Sequence, residues 1–490
     1  MPRRVAGFFY APVGLRRTMF FMKNIRILLP IICLSLLAFA VHADKPNILL
    51  IMADDQGWGD TAYNGHPILK TPNLNAMAEA GLRMDRFYAA APVCTPTRAS
   101  VMTGRHPNRM GAFKWGHTLR PQEITIAEAL KTAGYKTGHF GKWHLGSVRK
   151  GSPVNPGNSG FDAWLSAPNF YDNDPIMSQQ GVAVVIKGES SIVAAEAAIE
   201  FMKESAGKQE PFLAVVWFGS PHVPHRAAAE DLAHYEGQKN PHWLGEITGI
   251  DRAVGKLRAS LKEIGIAQNT LVWYTSDNGG LYTESSGGRA KKGSVYEGGL
   301  RVPCIIEWPS QIKTPRTSEY VSCTSDIYPT LLSIVGLEID NQPPLDGESL
   351  LPLIKGKADM PQRPIGFWQY PGGGVRTPSA EWMKALLDAQ QAGNEPDDPA
   401  KLRLDAGKIK KQYPIDRFPG QSAWLSDPWK LHRFERNDGK VKWELYNLAK
   451  DPMEASPIDD AIRIATMKAE LEDWLTSVVN SLNGEDYPAQ

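Results

Sequence analysis

Cysteine is scarce in this chain: four among 490 residues, at Cys33, Cys94, Cys304 and Cys323. So few exclude a disulfide framework for a protein of this size. An excess of either charge is also missing, with 54 Lys+Arg against 53 Asp+Glu. That balance, with no arginine–aromatic stripe, argues against a nucleic-acid partner. Beyond residue 41 no apolar run is long enough to span a bilayer, so stable membrane insertion is not expected. No internal repeat or low-complexity tract points to a solenoid or a solvated tail. Any basic residues that matter must therefore matter locally.

The N-terminus reads as a targeting segment. Lys23 and Arg26 precede an apolar run from Ile27 to Val41 that ends in Val41-His42-Ala43. This is the pattern of a secretory signal over residues 1–43, cleaved after Ala43, with Met22 as an alternative start; the competing reading is an uncleaved membrane anchor, for which the apolar core is short. The expected mature chain begins at about residue 44 and is exported by the secretion machinery, to the periplasm or the medium. Removing Cys33 leaves three cysteines, an odd count that flags an unpaired thiol in an exported protein. Cys304 and Cys323 sit in apolar contexts, as free core residues or as a pair.

Short apolar runs at Pro46–Met52, Phe212–Trp217 and Thr270–Tyr274, with a weaker one at Tyr135–His139, read as buried parallel strands. Helical patterns at Ile126–Leu130, Ile192–Met202 and Ile247–Ile264 alternate with them. The expectation is an α/β fold, a mostly parallel sheet flanked by helices, over residues 44–358. From 359 to 490 the rhythm changes. A polar insertion at 372–420, strand-like runs around Trp424, Trp429–Phe434 and Lys442–Leu448, and a helix over about Ile462–Leu475 predict a smaller antiparallel α+β subdomain. Asn437-Asp438-Gly439 supplies a hairpin turn.

In open α/β sheets ligands bind beyond the carboxyl ends of the strands, and here each such end carries unusual polar residues. They are Asp54-Asp55, Lys142-Trp143-His144, His222-Val223-Pro224-His225 and Asp277-Asn278. Adjacent acids after a buried strand are costly unless a cation neutralises them. Three carboxylates and an amide oxygen suit Ca²⁺ or Mg²⁺ rather than zinc. Lys142 and Lys292 suit the oxygens of an oxyanion, and His144 and His222 can move protons near neutral pH. Cys94 opens a helix, where free N–H groups and the dipole favour an anion, and Arg98 lies one turn on. Glu297 reads equally as a brace or a functional acid.

The ordered set Asp54-Asp55, Cys94-Thr95-Pro96-Thr97-Arg98, Gly141-Lys142-Trp143-His144-Leu145-Gly146, Pro221-His222, Asp277-Asn278-Gly279-Gly280 and Lys292 through Gly299 resembles the type I sulfatases. The Trp429-Lys430-Leu431 and Glu444–Leu448 runs resemble that family's C-terminal subdomain. The resemblance implies an alkaline-phosphatase-like fold and hydrolysis of sulfate esters. It further implies that Cys94 is oxidised to formylglycine (3-oxoalanine) by a maturation enzyme, and that its hydrate is the nucleophile. One Ca²⁺ would be held by Asp54, Asp55, Asp277 and Asn278 and would also touch residue 94. Arg98 and Lys142 would stabilise the hydrate, Lys292 and His222 would bind sulfate, His222 would act as general acid, and His144 would help release sulfate. His225 is expected either to contact the substrate or to stand just behind the residues that do. The expected substrates are sulfated saccharides or other small sulfate esters. Alternatives are a phosphonate monoester or phosphodiester hydrolase of the same superfamily, and a non-catalytic carbohydrate-binding homologue. The insertion, with Trp382, Tyr413, Arg417 and the nearby Trp424, is expected either to wall the cleft or to elaborate the subdomain.

Overall fold

The computed structural model describes residues 45–357, 360–396, 398–436 and 438–487. The expected signal segment and the 358/359 boundary lie outside the described residues. Pro46–Gln490 forms one compact unit. Among the described residues no helix is long and apolar enough to cross a membrane.

The four apolar runs are strands β1 (Asn47–Ala53), β2 (Lys136–Lys142), β3 (Phe212–Trp217) and β4 (Thr270–Ser276). They lie side by side and parallel in the order β4-β1-β3-β2. A fifth parallel strand, Ala163–Ala167, pairs with β2; the Ala163-Trp164-Leu165-Ser166-Ala167 run is too short and mixed to stand out in the sequence. Short strands extend both edges, paired antiparallel except for Arg316–Ser318, which runs parallel to its neighbour Leu82–Met84, to give ten strands among the described residues.

Alternate residues of β1 face opposite layers, as a strand's period of two requires. Ile48, Leu50 and Met52 join the core that contains α1 (Cys94–Thr103) and α2 (Ile126–Thr132). Leu49, Ile51 and Ala53 join the core under α3 (Ser190–Gly207) and α4 (Pro241–Ile264). Burying each large aliphatic side chain contributes about 1.5–3 kcal/mol, which is why a strand covered on both faces is a continuous apolar run. Helix starts are set by polar caps that hydrophobic spacing does not show. Glu189 accepts hydrogen bonds from the Ser191 and Ile192 N–H groups, so α3 begins before Ile192. Pro241 opens α4 six residues before Ile247.

The C-terminal strands β5 (Ile365–Gln369), β6 (Gln421–Ser426), β7 (Trp429–Glu435) and β8 (Val441–Asn447) form an antiparallel meander. The insertion between β5 and β6 carries α5 (Ser379–Gln391). One face of the meander, with Leu431 and Leu445, packs on α6 (Ala461–Leu482); this helix outruns its expected end because Val478, Val479 and Leu482 are also buried. The other face, with Phe367, Leu425 and Tyr446, packs on Tyr88 of a separate two-stranded ribbon and on Val295 and Leu300 beyond the Lys292 loop. Cys94, Cys304 and Cys323 are all buried and free, so Cys304 and Cys323 do not pair.

Candidate active site

The parallel strands end together, and the segments just beyond their carboxyl ends build the site. The Asp54 N–H donates to the Ser220 carbonyl at 3.0 Å and the Asp277 N–H to the Ala53 carbonyl at 3.2 Å. These bonds lock the segments after β1, β3 and β4 to one another. Asp55 and His144 have left-handed backbones, at φ of 70° and 55°, a strained state for side chains of this kind that tends to persist at functional sites. Gly141 is required beside Lys142: its φ is 109°, and a Cβ there would fall 1.9 Å from the Trp217 carbonyl oxygen.

Three acids and three bases meet here. Lys142 Nζ lies 2.5 Å from Asp54 Oδ2, and Lys292 Nζ donates to Asp55 Oδ2 at 2.7 Å. Arg98 donates through Nε and Nη2 to Asp277 Oδ2 at 2.9 and 2.7 Å, with its guanidinium over the Trp217 ring. Asp54, Asp55, Asp277, Arg98 and Lys142 are completely buried. Burial, reinforced by Asp277 and Asp55, pushes the Asp54 carboxyl up to about 8 despite Lys142 and Arg98. Burial acts the same way on Asp55, but Lys292 and His222 outweigh it and hold that carboxyl well below the usual range. Asp54 Oδ1 and Asn278 Oδ1 are buried with no hydrogen-bond partner, while Asn278 Nδ2 donates to Asp55 Oδ1 at 2.8 Å. One ligand atom each from Asp54, Cys94 and Asp277 lie within 4.8 Å of one another. Unmet buried oxygens among carboxylates fit a hard divalent cation.

Cys94 is the first residue of α1, and no side chain caps that helix end. It lines a cleft of about 540 Å³ with His144, His222, Lys292, Trp115 and Phe170. Burial pushes its thiol up, Asp54 and Asp277 add to this, and Lys142 and Lys292 only partly offset it. Thr95 ties the helix start to its neighbours, donating to the His144 carbonyl at 2.9 Å and accepting from the Gly116 N–H at 3.1 Å. Both His144 nitrogens are buried and unpartnered. Burial first, then Lys142, Arg98, His222 and Lys292, keep its imidazole neutral far below the ordinary histidine range. The His222 ring stacks on Phe170; its Nδ1 meets the Val223 carbonyl at 2.6 Å, and its Nε2 lies 3.9 Å from Asp55 Oδ2. Burial, aided by Lys142 and Lys292, brings its pKa down to about 4 against the pull of Asp55.

The Lys292 loop is held from the C-terminal sheet. The Glu297 carboxylate accepts from Lys430 Nζ on β7 and from the Tyr88 hydroxyl, both at 2.8 Å, and its N–H donates to Glu454 Oε2 at 2.6 Å. Glu297 is therefore a brace. The register left open by two adjacent lysines falls on Lys292, while Lys291 is exposed.

The structure thus gathers Asp54, Asp55, Cys94, Arg98, Lys142, His144, His222, Asp277, Asn278 and Lys292. It does not gather His225, whose Nδ1 lies 3.3 Å from Glu246 Oε2 on α4, away from the cleft lining. The insertion reaches the cleft through Arg376, Thr377 and Pro378. Of the aromatics expected there, Trp382 stands just behind the cleft, lining a small cavity with His144 and Thr377, whereas Tyr413 packs on Phe113 and Trp424 on Trp474. The aromatic walls are Trp115 and Phe170 instead. Phe170 follows the unrecognised fifth parallel strand, so recognising that strand would have found it by the same strand-end rule. Trp115 has no comparable signal.

The sulfatase family pattern matches residues 46–337. The chain is 32% identical over 390 residues to N-acetylgalactosamine-6-sulfatase of Mus musculus, covering 70% of this chain and 72% of the mouse protein. It is 33% identical over 439 residues to arylsulfatase A of Homo sapiens, covering 79% and 85%. Among solved structures it resembles Ps i-CgsB in complex with k-i-k-neocarrahexaose, with a TM-score of 0.71, 25% identity, and coverage of 88% of this chain and 93% of that one.

Proposed function

This chain belongs to the sulfatase family and is a sulfatase; from that premise we propose that it removes sulfate esters from saccharides, with Cys94 matured to formylglycine and Ca²⁺ held by Asp54, Asp55, Asp277 and Asn278. The carrying observation is the pair of buried, unpartnered oxygens, Asp54 Oδ1 and Asn278 Oδ1, in the cluster beside Cys94. With every group ionised the three acids and three bases cancel, and a divalent cation, which would also hold Asp54 ionised against the upward push of burial, would give the site the surplus positive charge that an anionic substrate needs. The raised Cys94 thiol supports its role as a precursor, since thiolate catalysis depends on a depressed pKa. Bound in place, Ca²⁺ supplies charge stabilisation to the sulfuryl group and the aldehyde hydrate supplies the attacking oxygen.

The chain's own groups divide the remaining work. Lys142 and Lys292 place positive charge against the sulfate oxygens. His222, with Nδ1–H donating to the Val223 carbonyl, turns Nε2 to the cleft. It is neutral at rest, and an anionic ester beside Nε2 favours the protonated form that can donate to the leaving oxygen. His144 is neutral at rest and a weak base among its cationic neighbours, and an anionic sulfate group beside it would raise its affinity for the proton it takes when sulfate departs. Arg98 fixes Asp277. Trp115 and Phe170 offer ring faces to a sugar and limit water. Saccharides are favoured by these walls, by the mouse relative's N-acetylgalactosamine-6-sulfatase name, and by the oligosaccharide in the related structure. Export and maturation by a formylglycine-generating enzyme complete the reading.

Initial rates of the matured, Ca²⁺-loaded protein on defined sulfated oligosaccharides, an aryl sulfate and an aryl phosphodiester test it. Sulfate release from an oligosaccharide, with kcat/KM at least about tenfold above the phosphodiester's, supports the proposal. A preference for the phosphodiester would reassign the chain to the other hydrolase class. The non-catalytic alternative predicts no turnover of any of the three, although the proposed ligands and nucleophile precursor are all present.

A further inference from the structure

A second cleft, of about 420 Å³, adjoins the catalytic one. The wall between them is a backbone bridge in which the Val375 N–H donates to the Trp115 carbonyl at 2.8 Å. Trp115 and Arg376 line the catalytic side, while Gly116, His117 and Val375 line the second. The far wall of the second cleft comes from the insertion, from Arg403 to Tyr413.

Its charge departs from that of the chain as a whole. Residues 401–411 carry five bases (Lys401, Arg403, Lys408, Lys410 and Lys411) against one acid, Asp405. Lys410 pairs with Asp405, and Lys401 with Asp398. Arg403, Lys408 and Lys411 have no carboxylate within ion-pair distance among the described residues, and Arg120, across the cleft, donates instead to the Leu482 carbonyl at 2.8 Å. His117 registers this field: burial lowers its pKa first, and Arg403 and Lys114 lower it further. Like charges gathered without acids repel one another, and a polyanion relieves that repulsion. Tyr413, with Lys411 Nζ 4.7 Å from its ring centroid, adds an aromatic surface of the kind sugars use.

We propose that this basic cleft is a polyanion track. It holds sulfate or carboxylate groups on the sugars that flank the one being desulfated, so the favoured substrate is a multiply charged saccharide chain rather than an isolated sulfated sugar. The proposal rests on the sulfatase reading above; charge complementarity and a wall shared with the catalytic cleft select the occupant.

The test uses the matured, Ca²⁺-loaded enzyme and size-fractionated dextran sulfate as the probe. It is measured as a competitive inhibitor of p-nitrophenyl sulfate hydrolysis and, directly, by fluorescence anisotropy. The variant Lys408→Glu/Lys411→Glu alters two exposed side chains outside the catalytic cleft. It is expected to weaken dextran sulfate binding by about tenfold or more and to flatten its salt dependence. Its kcat/KM on p-nitrophenyl sulfate and its inhibition by inorganic sulfate should stay within about twofold of the parent. Arg403→Gln should weaken dextran sulfate in the same direction. Unchanged dextran sulfate affinity in both variants would overturn the track. Equal affinity for single-stranded DNA of matched charge would overturn its assignment to saccharide. If the parent enzyme does not turn over p-nitrophenyl sulfate, the anisotropy arm still decides the track, so its failure and that of the sulfatase reading remain distinguishable.

Discussion

Two buried charged clusters, one at the strand ends and one between the Lys292 loop and the C-terminal sheet, are built from similar residues and left in opposite states. In the second, Lys430 Nζ lies 2.8 Å from Glu297 Oε1 and 3.4 Å from Glu454 Oε1, and His432 Nε2 lies 2.5 Å from Glu454 Oε1. Tyr88 and the Glu297 N–H satisfy the remaining carboxylate oxygens, and only His432 Nδ1 lacks a partner. At the strand ends Asp54 Oδ1, Asn278 Oδ1 and both His144 nitrogens lack partners. An unpaired buried polar atom costs about 1–3 kcal/mol. A fold that completes one cluster and leaves the other open has reserved the open one for something that arrives. Buried charge alone does not distinguish a site from a brace; what sets the strand-end cluster apart is that its unmet polar atoms gather beside a cleft.

The largest expected effect comes from breaking the completed cluster. Lys430→Met strands Glu297 and Glu454, and should cost about 3–5 kcal/mol, read from urea unfolding midpoints. Adding Glu297→Gln should recover part of that loss, and no recovery would mean that charge pairing is not what holds the brace. A smaller effect comes from filling the open cluster. Ca²⁺ at about a hundredfold over its dissociation constant should stabilise the parent by about 2.7 kcal/mol in thermal unfolding. Asp54→Asn/Asp277→Asn should abolish that gain and Lys430→Met should keep it; equal gains in all three would erase the contrast between the clusters.

The smallest effect concerns pH. Burial lowers the folded pKa of His432 below the unfolded value of about 6.5, despite Glu454. Between those two values acid protonates only the unfolded chain, so this histidine's contribution is present above about pH 6.5 and is lost as the pH falls. His432→Gln should flatten the acid side of the stability curve measured by urea unfolding between pH 7 and 5, conditions that are about neutral to mildly acidic for histidine. An unchanged slope would place the titration elsewhere.

The strand-end residues were legible because burial leaves its mark in the sequence. A covered parallel strand is a continuous apolar run, and charged residues stand out sharply where it stops. Asp54, Lys142, His222 and Asp277 could each be placed that way, and the ordered motifs named the chemistry to expect. The brace was hardly legible: Glu297 and Lys430 lie 133 residues apart in the chain, and only the packing of the C-terminal sheet brings them together. The cleft walls were legible least. Trp115 and Arg376 stand on irregular segments whose positions depend on contacts such as the Val375–Trp115 bridge, and no local pattern encodes those. His225, expected at the substrate or just behind the residues that touch it, is turned to Glu246 by a contact 21 residues along the chain that no local pattern encodes.

With the proposed formylglycine in place, the open cluster would serve a residue the gene does not encode. Mass spectrometry of the peptide spanning Cys94, on protein from a host that carries a maturation enzyme, tests it most directly alongside specific activity. The expected result is a mass lower by the difference between CH₂SH and CHO, activity proportional to the converted fraction, and no activity in Cys94→Ala. Full activity in a preparation containing only unmodified cysteine would contradict it.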